Sequence, residues 1–243
     1  MKRVEGEPCF ILHQRPYRET SALLEVFSLD HGRFSVIAKG LRGGSRGRQA
    51  WRSALQPFNL LALSWSGRGE LKTLTDAQLQ KAFSLQGRAL FCGFYLNELL
   101  ERLLHRFDPH QNLFHHYQYS LDRLLNGEDE KRCLRRFEFS LLADLGYGFS
   151  LHLDGNGEGI IADNNYVFLP EQGFIPARQQ EEIVFSGTHL LELAKDDYSA
   201  EAELTGRRLS RLLLGQLLGS KPLRSRELFA ATFASDSSGK NHR

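Results

Sequence analysis

Residues 39–52 read KGLRGGSRGRQAWR. These fourteen positions hold five cations (Lys39, Arg42, Arg46, Arg48 and Arg52), four glycines, one tryptophan and no acid. Cations that neutralise phosphates release condensed counterions and give salt-sensitive, sequence-tolerant affinity for nucleic acid. The glycines let backbone N–H groups come close to an anion. Trp51, flanked by Arg48 and Arg52, has the ring a nucleobase stacks on. Two readings stand for the stretch: a contact for DNA, or a solvated loop with Trp51 turned down onto the fold.

Other reactive chemistry is sparse. His105, His110, His115 and His116 cluster in sequence, but neighbours such as His115 and His116 point apart on a helix, and no H-E-x-x-H spacing occurs. GNGEG (155–159) does not join a strand to a helix, and Asp154 and Glu158 would repel a phosphate. GSKP (219–222) lacks the spaced glycines of a nucleotide loop and has Pro222 in place of Ser or Thr. No G-x-S-x-G is present. The chain reads as a binding protein rather than an enzyme, with no cofactor and no metal. A second group of cations comprises Arg135, Arg136, Arg207, Arg208, Arg211, Lys221, Arg224 and Arg226. Beside Leu134, Phe137, Leu213 or Leu223, such arginines could grip the carboxylates of an acidic, apolar-ended peptide. Ordinary helical pairing with acids such as Glu138 and Glu203 is the alternative.

The elements that must carry these groups fall into two regions. In residues 1–80, CFILHQ (9–14), SALLEVFS (21–28), RFSVIAKG (33–40), FNLLALSW (58–65) and GELKTLTDA (69–77) read as short strands separated by turn residues. Five such strands fit a small antiparallel barrel, and the basic stretch then lies between the third and fourth. From about residue 84 the apolar period lengthens to three and four, and Leu90, Phe94, Leu99 and Leu103 mark an amphipathic helix. Helical patterns follow at 112–127, 130–148, 187–195, 200–219 and 225–233, interrupted by a loop and small hairpin at about 149–180. The expected fold is α+β: a barrel domain over 1–80, then a helical domain over 81–243 with an irregular insertion. Residues 1–80 hold 12 Lys/Arg against 7 Asp/Glu, and residues 81–243 hold 19 against 22, so a polyanion should meet the first region. There is no apolar run of about 18 residues and no secretory pattern at the start, so no membrane span is expected. Three scattered cysteines, Cys9, Cys92 and Cys133, read as reduced thiols of a cytoplasmic protein.

Several stretches together resemble the bacterial recombination-mediator family RecO: HQRPYRETSALLEVFSLDHGRFSVIAKG (13–40), ALQPF (54–58), GRGELKTL (67–74), YLNELL (95–100), LRRFEFSLLADLGYG (134–148) and LGSKPLRSREL (218–228). The resemblance implies an N-terminal OB-fold barrel and a helical C-terminal domain. It also implies a mediator that binds single- and double-stranded DNA and anneals complementary strands. With RecR, such a mediator loads RecA onto DNA coated by single-stranded-DNA-binding protein (SSB), whose acidic C-terminal tail it binds. On that basis Lys39, Arg42, Arg46, Arg48, Trp51 and Arg52 are the expected DNA contacts, and Arg135, Arg136, Arg207, Lys221 and Arg224 the expected contacts of the SSB tail. The alternative is an adaptor of the recombination machinery whose barrel does not bind DNA directly. Some family members carry a four-cysteine zinc site. This chain has no cysteine after Cys133, so packing by Tyr166, Phe168 and Phe174 is expected in its place.

Overall fold

A computed structural model describes residues 3–43, 49–178 and 183–233. The chain forms two compact units, one of residues 1–130 with the segment from Lys221 onward, the other of residues 131–220.

In the first unit β1 (Arg3–Tyr17), β2 (Ser21–Ser28), β3 (Gly32–Ala38), β4 (Asn59–Ser66) and β5 (Lys72–Ala82) close into a barrel in the order β1-β2-β3-β5-β4. The long β1 pairs with both β2 and β4, and irregularities between Val4 and Glu7 and between Ile11 and His13 let it bend to do so. The barrel is not wholly antiparallel as its strand pattern suggests. Val36 and Ile37 of β3 pair in parallel with Lys72 and Thr73 of β5. An odd number of strands cannot alternate direction all the way round a closed ring, so one seam has to be parallel.

Alternate side chains fill the barrel, among them Cys9, Ile11, Leu24, Val26, Phe34, Val36, Leu61, Leu63 and Trp65. The opposite face of β2 is buried as well, at Leu23, Glu25 and Phe27. Two helices and the segment between them account for this: α2 (Gly87–Leu103) and α3 (Gln111–Leu125). Phe10 meets Tyr117 edge-on at 4.8 Å and Phe114 at 5.1 Å, and Phe27 lies 5.4 Å from Phe114. The Asn97 amide of α2 donates to the Leu12 carbonyl at 3.0 Å and accepts from the Tyr117 hydroxyl. Burial pushes the Tyr117 phenol far up, so it stays a neutral donor.

Between the helices, the Leu104 carbonyl accepts from Arg33 Nε (3.1 Å) and a terminal nitrogen of the same guanidinium (2.9 Å). Arg33 also pairs with the buried Glu25, which accepts from the Ser35 hydroxyl at 2.6 Å. Arg106 donates to the Ser35 hydroxyl at 3.0 Å and stands 3.4 Å from Glu25. Leu104 and Arg106 are thereby fastened over the outer face of β2 and β3, Arg106 bridging in parallel to Arg33, while Phe107 stacks on the core residue Phe34. The approach is close: at Gly32 (φ +66°) an added Cβ would lie 2.1 Å from the Asp108 carbonyl oxygen.

The C-terminal helix α7 (Arg224–Phe233) packs on α2, with Phe229 6.0 Å from Phe91. Its first turn is capped from a distance. The Glu98 carboxylate accepts from the Arg224 N–H (3.0 Å), the Ser225 N–H (2.9 Å) and the Ser225 hydroxyl (2.7 Å). Burial raises the Glu98 pKa, but the Ser225 and Arg224 hydrogen bonds and the Arg102 charge outweigh it and hold the carboxyl below its ordinary value.

The second unit holds most of α4 (Glu130–Leu142), which runs into a π-helical turn (Ala143–Tyr147). A small sheet of β6 (Asn165–Leu169), β7 (Gly173–Pro176) and β8 (Phe185–Ser186) follows, in the order β7-β6-β8, then α5 (Gly187–Ala194) and α6 (Ala200–Leu218). The hairpin expected within 149–180 is β6–β7, with Val167 opposite Ile175. Phe168 meets Phe174 edge-on at 5.0 Å, Phe149 and Phe185 extend the cluster, and the Tyr166 hydroxyl accepts from the Ile161 N–H at 2.9 Å. Cys9, Cys92 and Cys133 are buried free thiols. Among the described residues no helix is long and apolar enough to cross a membrane.

Gly32→Ala should cost more than about 2 kcal/mol in urea unfolding, because it sets a Cβ against backbone at a left-handed position. Glu98→Gln should lower stability at neutral pH. Glu98 has a depressed pKa in the folded state, so its contribution is present above the ordinary carboxylate range and is lost as pH falls through the depressed value. Unfolding titrations from about pH 7 to pH 3 should show the gap between wild type and variant narrowing as the pH falls below the ordinary carboxylate range.

Candidate nucleic-acid interface

Strand β2 has a turn at each end, so the β1–β2 turn (residues 18–20) and the β2–β3 turn (29–31) lie at opposite ends of the barrel. The segment leaving β3 belongs to the first of these ends. The Arg42 N–H donates to the Thr20 carbonyl at 2.7 Å, fastening the basic stretch to the β1–β2 turn. A short helix, α1 (Gln49–Ala54), closes the stretch before β4.

The structure divides the six residues expected to touch DNA. Lys39 and Arg42 are exposed, and neither has an ion-pair partner among the described residues. Arg52 is committed to the loop itself: its Nε donates to the Leu41 carbonyl at 2.7 Å and a terminal nitrogen to the Gly43 carbonyl. Trp51 is half-buried and packs against the barrel core. The reason is helical: Leu55, whose N–H donates to the Trp51 carbonyl, is fully buried, as is most of Ala54, so positions 51, 54 and 55 share one inward face. Arg46 and Arg48 lie outside the described residues.

Two further cations stand at the same end. Arg15 and Arg18 are exposed near and on the β1–β2 turn, and Arg18 has a positive φ (+52°) with its guanidinium 5.4 Å from the Tyr17 ring centroid. Neither has an ion-pair partner among the described residues. The signal for them was the RPYR spacing around a proline-marked turn, which only the observed pairing brings beside residue 42. A hollow of about 390 Å³ opens here, lined by Gln14, Leu41, Arg42, Arg52 and Gln56. OB-fold barrels commonly bind oligonucleotides over strands 2 and 3 and their neighbouring loops. In this chain Leu104, Arg106 and α3 lie against that strand face.

The second group of expected site residues is spread over both units. Arg135 is buried and paired with the fully buried Glu138, 2.8 Å from its carboxylate. Arg136 donates from Nε to Asp196 at 2.8 Å, beside Arg132 at 3.0 Å, and these guanidiniums hold the Asp196 carboxyl below its usual range, the Arg136 hydrogen bond most of all. Arg207 is exposed on α6, one turn from Leu204, itself 54% exposed. Lys221 and Arg224 belong to the first unit. Both are exposed; Arg102 holds the Lys221 carbonyl at 2.9 Å, and Glu98 the Arg224 N–H. Among the described residues no three His, Cys, Asp or Glu side chains are grouped as metal ligands.

Residues 1–83 match the family described as "Recombination protein O N terminal", and residues 84–227 match "Recombination protein O C terminal". The chain is 46% identical over 231 residues to the DNA repair protein RecO of Coxiella burnetii, covering 93% of this chain and 98% of that one. It is 42% identical to the DNA repair protein RecO of Paraburkholderia xenovorans, over 93% of this chain and 76% of that one. It is 40% identical to the Vibrio cholerae protein of the same name, over 92% of this chain and 93% of the other.

The split among the loop cations has a consequence for stability. Arg52→Ala should cost about 1–2 kcal/mol in urea unfolding, through its two backbone acceptors. Arg42→Ala should stay within about 0.5 kcal/mol. Equal small effects would contradict the structural role of Arg52.

Proposed function

The chain belongs to the recombination protein O family, and on that premise we propose that it is a DNA-repair and homologous-recombination mediator that binds single- and double-stranded DNA. The observation that carries this reading is the barrel end where Arg15, Arg18, Lys39 and Arg42 stand exposed beside one another's backbone segments. Exposed arginines on a loop framework offer forked donors to phosphate oxygens and carry no base preference. Neutralising the phosphates of two strands lowers their mutual repulsion and leaves the base edges free to pair, which is the physical requirement for annealing complementary strands. In this reading the protein acts with RecR to load RecA onto SSB-coated single strands.

The SSB tail, acidic with an apolar end, suits an exposed surface that offers both charge and apolar area. On α6, Leu204 and Arg207 supply these within one turn, with Arg208 exposed alongside. Arg135 and Arg136, engaged with Glu138 and Asp196, position α4 within its unit and would act on a tail only indirectly. Lys221 and Arg224 offer charge in the other unit.

Single-strand binding should weaken as salt rises, with a slope of roughly −0.7 per phosphate contact in log affinity against log salt. Replacing Arg15, Arg18 and Arg42 together by alanine should lower the steepness of that slope by about 2. Unchanged affinity and slope in a fluorescence-anisotropy titration would reject this barrel end as the DNA contact and favour the adaptor function.

A further inference from the structure

At the other end of the barrel, between the β2–β3 and β4–β5 turns, lies a cavity of about 240 Å³ lined by Val4, Asp30, His31, Phe34, Trp65, Gly67, Lys72, Phe107 and Pro109. Its floor is aromatic: Phe34 and Trp65 are buried, with centroids 4.8 Å apart, and His31 meets Trp65 edge-on at 5.2 Å. Its wall is Phe107, 39% exposed and aligned with Phe34 at an interplanar angle of 15°. Phe107 holds a left-handed backbone (φ +59°), an uncommon state for an aromatic residue, kept by its N–H bond to the Arg33 carbonyl at 2.9 Å. Lys72 places its ammonium 5.2 Å from the Phe107 ring centroid, and Arg68 is exposed on the same turn.

The geometry points to this cavity as a site for one unpaired nucleobase of single-stranded DNA, an inference that rests on the barrel being a DNA-binding module. The volume is below the roughly 300–1,000 Å³ of sites for drug-sized molecules and suits a single ring system. The lining then selects among ring systems. A base brings a ring N–H or exocyclic amino donor to Asp30, an exposed carboxylate that already accepts from the Gln111 amide at 2.6 Å and has acceptor capacity left, and a polar edge to His31, whose Nδ1 stands 3.4 Å from Glu7; a hydrocarbon ring can use neither. Asp30 would also repel an acidic peptide end. Lys72 and Arg68 at the mouth meet the flanking phosphates. The β4–β5 turn is one that OB-fold barrels use for oligonucleotides. With phosphates held at one end and a base at the other, a strand is gripped in two chemically different ways on one barrel.

The test compares an oligothymidylate with an abasic deoxyribose-phosphate oligomer of the same length and charge, titrated against the full chain. Stacking of one base corresponds to roughly 5- to 150-fold in affinity. Wild type should prefer the thymidylate by at least about fivefold. Phe107→Leu, verified as folded by its unfolding midpoint, should narrow that ratio to under about twofold while keeping its affinity for the abasic oligomer. Phe107→Tyr should retain the ratio. A wild type without base preference, or a Phe107→Leu variant with the full ratio, overturns the base site while leaving phosphate binding in place. Failure to bind either oligomer overturns both the base site and the DNA-binding reading. An acidic peptide ending in phenylalanine that erases the base preference by competition would assign the cavity to a peptide instead.

Discussion

Glu25 is a carboxylate buried on the outside of a β-barrel, and the groups that satisfy it decide which barrel surfaces remain open. Burying that charge is tolerable only with close cations and hydrogen bonds, and Arg33, Arg106 and Ser35 supply them. The same Arg33 holds the Leu104 carbonyl, so neutralising Glu25 also fastens the segment after α2 across β2 and β3. Gly32 makes that approach sterically possible. Detaching the segment would leave a buried carboxylate and two arginines to rearrange together, which makes the cover part of the barrel's stability rather than a loosely placed lid.

With that strand face occupied, the two ends of the barrel differ in their chemistry. One end offers exposed arginines and a lysine on turns tied together by the Arg42–Thr20 backbone bond. The other offers an aromatic-floored hollow with a cation at its mouth. Within the basic stretch the positive charge is divided between structure and surface. Arg52 closes the loop through backbone carbonyls, while Lys39 and Arg42 remain open to solvent. The division recurs in the second unit, where Arg132 and Arg136 share Asp196 and Arg135 serves Glu138, leaving Arg207 facing solvent.

The barrel and the helices were legible in the sequence because their signals are local. Alternation in SALLEVFS and three-four spacing in ALFCGFYLNELL depend only on which face each side chain meets. The parallel β3–β5 seam was not, because pairing of residues 36 and 72 is a property of ring closure and leaves no mark at either position. Trp51 could have been placed: its spacing to Ala54 and Leu55 is that of one helical face, a pattern hidden by the glycines before it. Arg15 and Arg18 were missed for a different reason, since two arginines around a proline turn carry no meaning until pairing sets them beside residue 42. The hollow at the far end is assembled from four stretches between residues 4 and 109, each ordinary by itself.

The central claim is that DNA engages the ends of the barrel while the cover over β2 and β3 stays shut. Amide hydrogen exchange, with and without a saturating single strand, tests it most directly. Added protection at residues 15–20 and 39–43 and around the 67–72 turn, with no faster exchange at residues 104–107, is the expected result. Faster exchange at 104–107 on DNA binding, together with altered exchange along 23–27 and 33–37, would mean that the cover lifts and the strand face binds, contrary to the account.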